Sequence, residues 1–375
     1  MNFEPNEEQR MLCDSARRFF AREFPLARLR QVELQGLDVF LPVYRKMGEL
    51  GYLGIAVPEE AGGSGGDWLD LALFAEEAGR ALVPTLQITS VVLSGRALLA
   101  LGDPAQQRER LPALVSGDAL ITPAWIEETE ASREPPRATR ATVRGDTIEL
   151  DGRKRFVDAF ESASEMLVPA CNSAGAALFL LVPRDSAGIT ASEQQLTSLD
   201  RVHEVRLSGV TVPRSAALTG AWSAWLAVID AAKIIAGAWA VGAARAALDM
   251  AVAYAKERKQ FGRPIGSFQA VQHRLADAAI VLEQASAMVR YGAWLCACRG
   301  HCPREAAMAK LVAGRAIRQV THAATLTHGG YGFMEEFDIQ LYFRRAKQFE
   351  QLVEGPVLQR ELIAGEESED LLRVY

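Results

Sequence analysis

A glutamate followed by glycine and proline, Glu354-Gly355-Pro356, is a carboxylate whose local surroundings bear on acid-base work. The residue before a proline avoids the α region, so Gly355-Pro356 must end the helix that leads into it. Glu354 then lies at the negative end of a helix dipole with Glu350 one turn back, and both effects disfavour its ionised form. Such a carboxylate is poised for proton transfer; the alternative is a solvated glutamate at a helix end. A second cluster, Arg258-Lys259-Gln260-Phe261, joins a planar guanidinium fork that suits phosphate oxygens to a ring that suits a flat cofactor. Taken alone it reads first as a basic helix end complementing its dipole, with Phe261 in the core. Asp230 and Lys233, three residues apart, are spaced to pair on one helix face.

The elements that must position these groups follow from periodicity. Ala247, Met250, Ala251 and Tyr254 recur at i, i+3, i+4 and i+7, one apolar stripe on a helix ending near Arg258. Gly262-Arg263-Pro264 is then a tight connector, and Ser267 caps a second helix with Gln269 at its second position. Residues 1–118 read as a helical domain: Asn6 and Gln9 form a capping box, helices cover Pro42–Leu50, Trp68–Arg80 and Gln87–Leu101, and Gly102-Asp103-Pro104 is a stop. The glycine-rich 58–66 loop lacks the Lys-Ser/Thr ending of a phosphate loop and reads as a turn. Between 119 and 221 the pattern changes to short alternating or β-branched runs, an all-β middle domain in the form of a small barrel or sandwich. From 222 to 375 the chain is helical again, with long segments at 223–258, 267–299, 303–327 and 336–354 forming a four-helix bundle. The fold class is α+β multidomain.

Composition bounds the function. A chain of 375 residues, 49% of them hydrophobic, can bury more than one core, and its net charge of -6 gives no footprint for nucleic acid. The start, MNFEPNEEQR, has acids where a signal peptide needs an apolar run, which points to the cytoplasm. No membrane span is expected, because Asp230, Lys233 and Arg245 interrupt the most apolar stretch. Five cysteines without secretory context read as reduced thiols, and the spacing of Cys296, Cys298, His301 and Cys302 fits no zinc pattern, so no metal is expected.

The string ERKQFGRPIGSFQAVQHRLAD resembles a segment of acyl-CoA dehydrogenases, and PEEAGGSGG, EEAGRALVP, SLDRVHEVRLSGVTVP, HGGYGF and YFRRAK match that family in the family's order. As a set these strings are specific. The resemblance implies an FAD-dependent enzyme that dehydrogenates the alpha,beta bond of an acyl-CoA thioester and passes electrons to an electron-transfer flavoprotein or similar acceptor. It implies a homodimer or homotetramer, with Arg258 and Phe261 on the FAD of a neighbouring subunit. It further assigns Gln269, Phe156, Gly329 and Gly330 to the cofactor, Glu354 to catalysis as the base, and Asp230 and Lys233 to the substrate. Relatives that carry the base on the earlier helix have it where Ala232 stands, which closes that route here.

The chain departs from the family at the flavin. Where relatives carry a Thr-Glu-Pro-Gly stretch and a Gly-Ser pair, the sequence reads AWIEETEASREPPRATRA; Phe156 stands for a Trp, Asp158 for a Thr and Leu326 for a Gln. The base is one place out of register, counted from Ala346-Lys347, and Lys233 replaces an Arg. Two alternatives follow: a partner subunit of a hetero-oligomer whose sister chain completes the site, or a flavin oxidase or oxygenase on the same fold. Arg133, Arg137, Arg140, Arg144, Arg153, Lys154 and Arg155 crowd one region and could meet the phosphates of CoA, although Arg140 and Arg144 read better as the solvated face of a strand.

Overall fold

A computed structural model of the chain describes residues 4–127 and 133–373, with side chains through 365. The helices, in chain order, are α1 (Glu7–Glu23), α2 (Leu26–Gln35), α3 (Leu41–Glu49), α4 (Trp68–Arg80), α5 (Arg96–Leu101), α6 (Pro104–Ser116), α7 (Trp222–Glu257), α8 (Gln269–Arg299), α9 (Pro303–His328), α10 (Ile339–Gln351) and α11 (Pro356–Arg373). The strands are β1 (Ile121–Pro123), β2 (Arg140–Arg144), β3 (Thr147–Asp158), β4 (Glu165–Cys171), β5 (Ala177–Pro183), β6 (Ile189–Gln195), β7 (Arg201–Pro213), β8 (Ala217–Leu218), β9 (Lys259–Gln260) and β10 (Arg263–Pro264). A helical N-terminal part, a middle sheet and a helical C-terminal part are thus present, as the periodicity requires. Two units divide the chain: Met1–Arg30, Trp68–Val83 and Lys233–Tyr375 make one, and Gln31–Asp67 with Pro84–Ala232 make the other.

The first unit is built on helices, with the small β9–β10 hairpin between α7 and α8. Asn6 and Gln9 do form a capping box at the start of α1. A Cβ on Gly242 would lie 1.8 Å from the Glu76 carbonyl oxygen, and one on Gly79 would lie 2.0 Å from that of Trp239. Glycine at both positions therefore lets α4 and α7 cross with their backbones touching. An 18-residue window of α7 is long and apolar enough to cross a bilayer, but 89% of it is buried inside the protein, so its apolarity is that of a core helix.

The second unit carries the sheet, ordered β6-β7-β3-β2-β4-β5-β8, with β1 added parallel to β4. Inward residues such as Ala141, Ile148, Leu150, Val168, Leu180, Val205 and Val212 make its core. The expected turn at 172–175 joins β4 and β5 antiparallel. Elements α6 and β6 are among those that go beyond the sequence reading. Gly102-Asp103-Pro104 ends α5 but also begins α6, because the Asp103 carboxylate accepts from the N–H groups of Ala105 and Gln106 and Pro104 occupies the first helical position. Strand β6 has almost no buried residues, so it shows no alternation to read.

Candidate active site

The joint between α10 and α11 holds the predicted base. The expected helix through residue 354 stops at Gln351 instead. Leu352 turns extended and Val353 takes φ 68°, a left-handed conformation that is rare for a β-branched residue and marks strain of the kind found at functional sites. Glu354 therefore stands two residues ahead of Pro356, at the positive end of α11, and not on the negative end of α10 as the sequence suggested. Its charged neighbour is a cation: Lys233 of α7 makes an ion pair with Oε2 of Glu354, and both side chains are 0% exposed. The alternative of a solvated helix-end glutamate is excluded by that burial.

Three further side chains frame this pair. The Gln359 amide, one turn into α11, reaches back to Oε2 of Glu354 at 3.4 Å. Lys310 of α9 is buried and donates to the carbonyls of Phe349 and Glu350 at 2.7 and 3.0 Å. Burial brings Lys310 down to about 7; Glu350 and Glu354 oppose that fall and Lys233 adds to it. Glu350, expected to press its charge on Glu354, binds Lys347 at 2.6 Å and lies 3.8 Å from Arg318. Lys310 and Gln359 escaped the sequence reading. The signal for Lys310 was a cation on an apolar helical stripe, Ala306, Lys310, Ala313 and Ile317, where solvent cannot reach it.

Asp230 of the second unit has an arginine as its partner. Arg133 holds Asp230 with two bonds of 2.7 and 3.0 Å, while Trp222 Nε1 donates to the Arg133 carbonyl at 2.7 Å. A forked guanidinium suits a carboxylate with two parallel bonds. Arg133 is thus engaged with a carboxylate within the protein.

The predicted cofactor residues Arg258, Phe261, Gln269, Gly329 and Gly330 lie on the first unit. Phe261 and Gly262 form the two-residue turn between β9 and β10, both with positive φ, and Phe261 is 93% exposed, which removes the reading of it as core. Arg258 is exposed and packs its guanidinium 5.7 Å from the Tyr331 ring centroid, bringing it beside the Gly329–Phe333 segment. A Cβ at Gly329 or Gly330 would meet nothing within 4 Å. Gln269 opens α8 on the exposed surface, but Ser267 does not cap it: its hydroxyl donates to the Pro264 carbonyl, and the N-cap residue is Phe268, which has no side-chain acceptor to offer. The N-terminus of a 31-residue helix, an exposed arginine and a solvent-facing ring suit an anionic, flat cofactor.

Phe156 lies on the second unit at the end of β3, 45% exposed, with positive φ and the Arg155 guanidinium 5.3 Å from its ring centroid. Asp158 turns inward, accepting from Thr89 at 2.8 Å and Thr85 at 3.3 Å. Burial raises its pKa, Asp200 adds to the rise, and the threonine hydroxyls oppose it. Folded protein therefore keeps the Asp158 proton at a pH where the unfolded chain, near 3.8, has released it. The contribution of Asp158 to stability is full below that value and is lost as pH rises. Asp158→Asn, which retains an acceptor and does not titrate, is expected to raise the melting temperature by at least about 2 °C at neutral pH and by less near pH 4. A shift equal at both pH values in a thermal scan would contradict it.

Other cations of the arginine-rich region are also engaged. Lys154 is buried and binds Glu127 at 3.0 Å. Burial works against the Glu127 charge, but Lys154 and the backbone N–H groups of Ala138 and Thr139 outweigh it and hold Glu127 at about 2. Arg137, Arg144 and Arg153 pair with Glu134, Glu149 and Glu204, and Arg140 faces outward on β2. The region where relatives carry Thr-Glu-Pro-Gly falls partly outside the described residues, at 128–132. All five cysteines are free thiols, with Cys296 and Cys302 buried and Cys298 exposed.

Known proteins are similar to this chain in sequence and fold. Residues 6–118 match the family model for the acyl-CoA dehydrogenase N-terminal domain, and residues 222–364 match that for the acyl-CoA dehydrogenase C-terminal domain. The chain is 36% identical to the "Probable acyl-CoA dehydrogenase YngJ" of Bacillus subtilis, over 93% of this chain and 95% of that protein. It is 29% identical to the "Caffeyl-CoA reductase-Etf complex subunit CarC" of Acetobacterium woodii, over 92% and 94%. Its structure resembles the ChsE4-ChsE5 complex from Mycobacterium tuberculosis, with TM-score 0.89 and 28% identity over 98% of this chain and 99% of that one.

Proposed function

Since the chain belongs to the acyl-CoA dehydrogenase family, an oxidoreductase family acting on the CH–CH bond of acyl-CoA, we propose that Glu354 is the base that takes the alpha proton of an acyl-CoA thioester. The observation that carries this reading is the buried Lys233–Glu354 pair at the strained joint between α10 and α11. The ammonium fixes one carboxylate oxygen by charge and hydrogen bonding, which positions the carboxyl group for a proton transfer at the other. Gln359 orients the carboxylate from the other side. FAD, the cofactor of this reading, supplies the acceptor for the hydride that leaves the beta carbon.

Arg258, the Phe261 ring and the start of α8 are the groups that would hold FAD from this chain, with Arg258 on the diphosphate. Phe261 at 93% exposure needs a partner surface, which supports FAD bound at a subunit interface of a homodimer or homotetramer. The Acetobacterium woodii relative is a subunit of an Etf complex, which supports an electron-transfer flavoprotein as acceptor. The similar Mycobacterium tuberculosis structure is a ChsE4-ChsE5 complex, so assembly with a sister chain is an outcome to be measured. Arg258→Ala is expected to lower the FAD retained per chain at least ~10-fold, a charge-assisted contact to phosphate being lost. Flavin absorbance of the purified variant, against light scattering for its assembly state, checks this. Unchanged occupancy would remove Arg258 from the site, and a colourless unsubstituted protein that binds flavin only with a sister chain would replace the homo-oligomer.

A further inference from the structure

We propose that Lys310 is a positioning residue for Glu354: its buried ammonium caps the C-terminus of α10 and thereby enforces the break that presents the base. The proposal rests on the reading of Glu354 as base. In an α-helix each N–H donates to the carbonyl four residues back, so continuing α10 through Glu354 would require the carbonyls of Phe349 and Glu350 to accept from Val353 and Glu354. Those are the two carbonyls that Lys310 Nζ occupies, at 2.7 and 3.0 Å. The last described backbone bond of the helix is Leu352 N–H to the Gln348 carbonyl, after which Val353 enters the left-handed region. A cation at a helix C-terminus is favourable by charge as well as by hydrogen bonding.

The surroundings hold Lys310 in place. It is 2% exposed on α9, and Gly314 one turn later lies beside Glu350, where an added Cβ would make ordinary contact at 3.5 Å from the Glu350 Cα. The Phe349 ring stacks on Trp239 of α7 with centroids 3.6 Å apart, fixing the same turn of α10 from another side. The charged groups acting on Lys310 are Glu350 of α10, Lys233 of α7 and Glu354 itself. Taken together, the helix break is imposed from outside α10 and not by its own residues alone.

Lys310→Met keeps an unbranched chain of similar length but cannot donate, and Lys310→Gln keeps an N–H donor without the charge. In the flavin-loaded protein, Lys310→Met is expected to change hydrogen exchange of the amides at 352–355 by ~10-fold or more, faster if the joint frays and slower if α10 runs on through Glu354. Single-turnover flavin reduction by an acyl-CoA should fall at least ~10-fold, as misplacement of a catalytic group costs, and its pH profile should move to higher pH with one cation fewer near the base. Lys310→Gln should restore the exchange pattern but leave the pH profile displaced. Unchanged exchange together with an unchanged profile in Lys310→Met, at full flavin content, overturns the proposal and leaves Lys310 as core filling. Should the Met variant not fold, Lys310→Gln alone decides: parent exchange with a displaced profile supports the proposal, and parent behaviour in both overturns it. Altered exchange in Lys310→Met alongside normal reduction by Glu354→Gln would keep the cap and discard the base.

Discussion

Glu354→Gln is expected to slow flavin reduction by a bound acyl-CoA at least ~100-fold while thioester binding survives. The amide keeps the shape of the side chain and a carbonyl oxygen toward Lys233, but it cannot take a proton. Lys233 keeps an oxygen acceptor in the amide, so the fold is expected to tolerate the change better than loss of the cation. Flavin content and a thermal scan of the variant separate loss of chemistry from loss of structure. Glu350→Gln is the control. Its carboxylate meets Lys347 and Arg318, not Glu354, so reduction should stay within a few-fold of the parent. Normal single-turnover reduction in Glu354→Gln would end the assignment, and the one-residue register offset from the family would then be its explanation.

Lys233→Met carries the largest expected effect on stability. With both partners 0% exposed, removing the ammonium leaves a buried carboxylate without its cation, a change that costs about 3–5 kcal/mol. The double variant Lys233→Met/Glu354→Gln removes both charges and should regain most of that loss, since a buried pair replaced by neutral groups of similar volume is close to neutral in stability. Denaturant midpoints of the parent, the two single variants and the double variant measure the coupling. If Lys233→Met unfolds at the parent midpoint, the pair is not a buried ion pair in solution and the electrostatic argument for Glu354 fails with it.

The sequence alone determined a great deal. Hydrophobic periods set the helical, β and helical order, because burial of one face leaves its spacing in the chain. The Asn6 capping box and the turn at 172–175 were legible because their chemistry is local. Glu354, Arg258 and Phe261 became candidates through the family resemblance, with residue type and neighbouring Gly and Pro compatible with it, and exposure of Phe261 then removed its reading as core.

Only the tertiary structure decided how those residues work. The end of α10 and the partners of Asp230 and Lys233 are set by residues far away in the chain: Lys310 takes the carbonyls of Phe349 and Glu350, Arg133 takes Asp230, and Glu354 takes Lys233. Local rules placed Glu354 at a negative helix end beside Glu350, whereas folding placed it ahead of α11 beside a cation. The physical reason is that a buried charge must find an opposite charge or a full set of hydrogen bonds wherever in the sequence these lie, and that requirement overrides helix propensity, which is worth only tenths of a kcal/mol per residue.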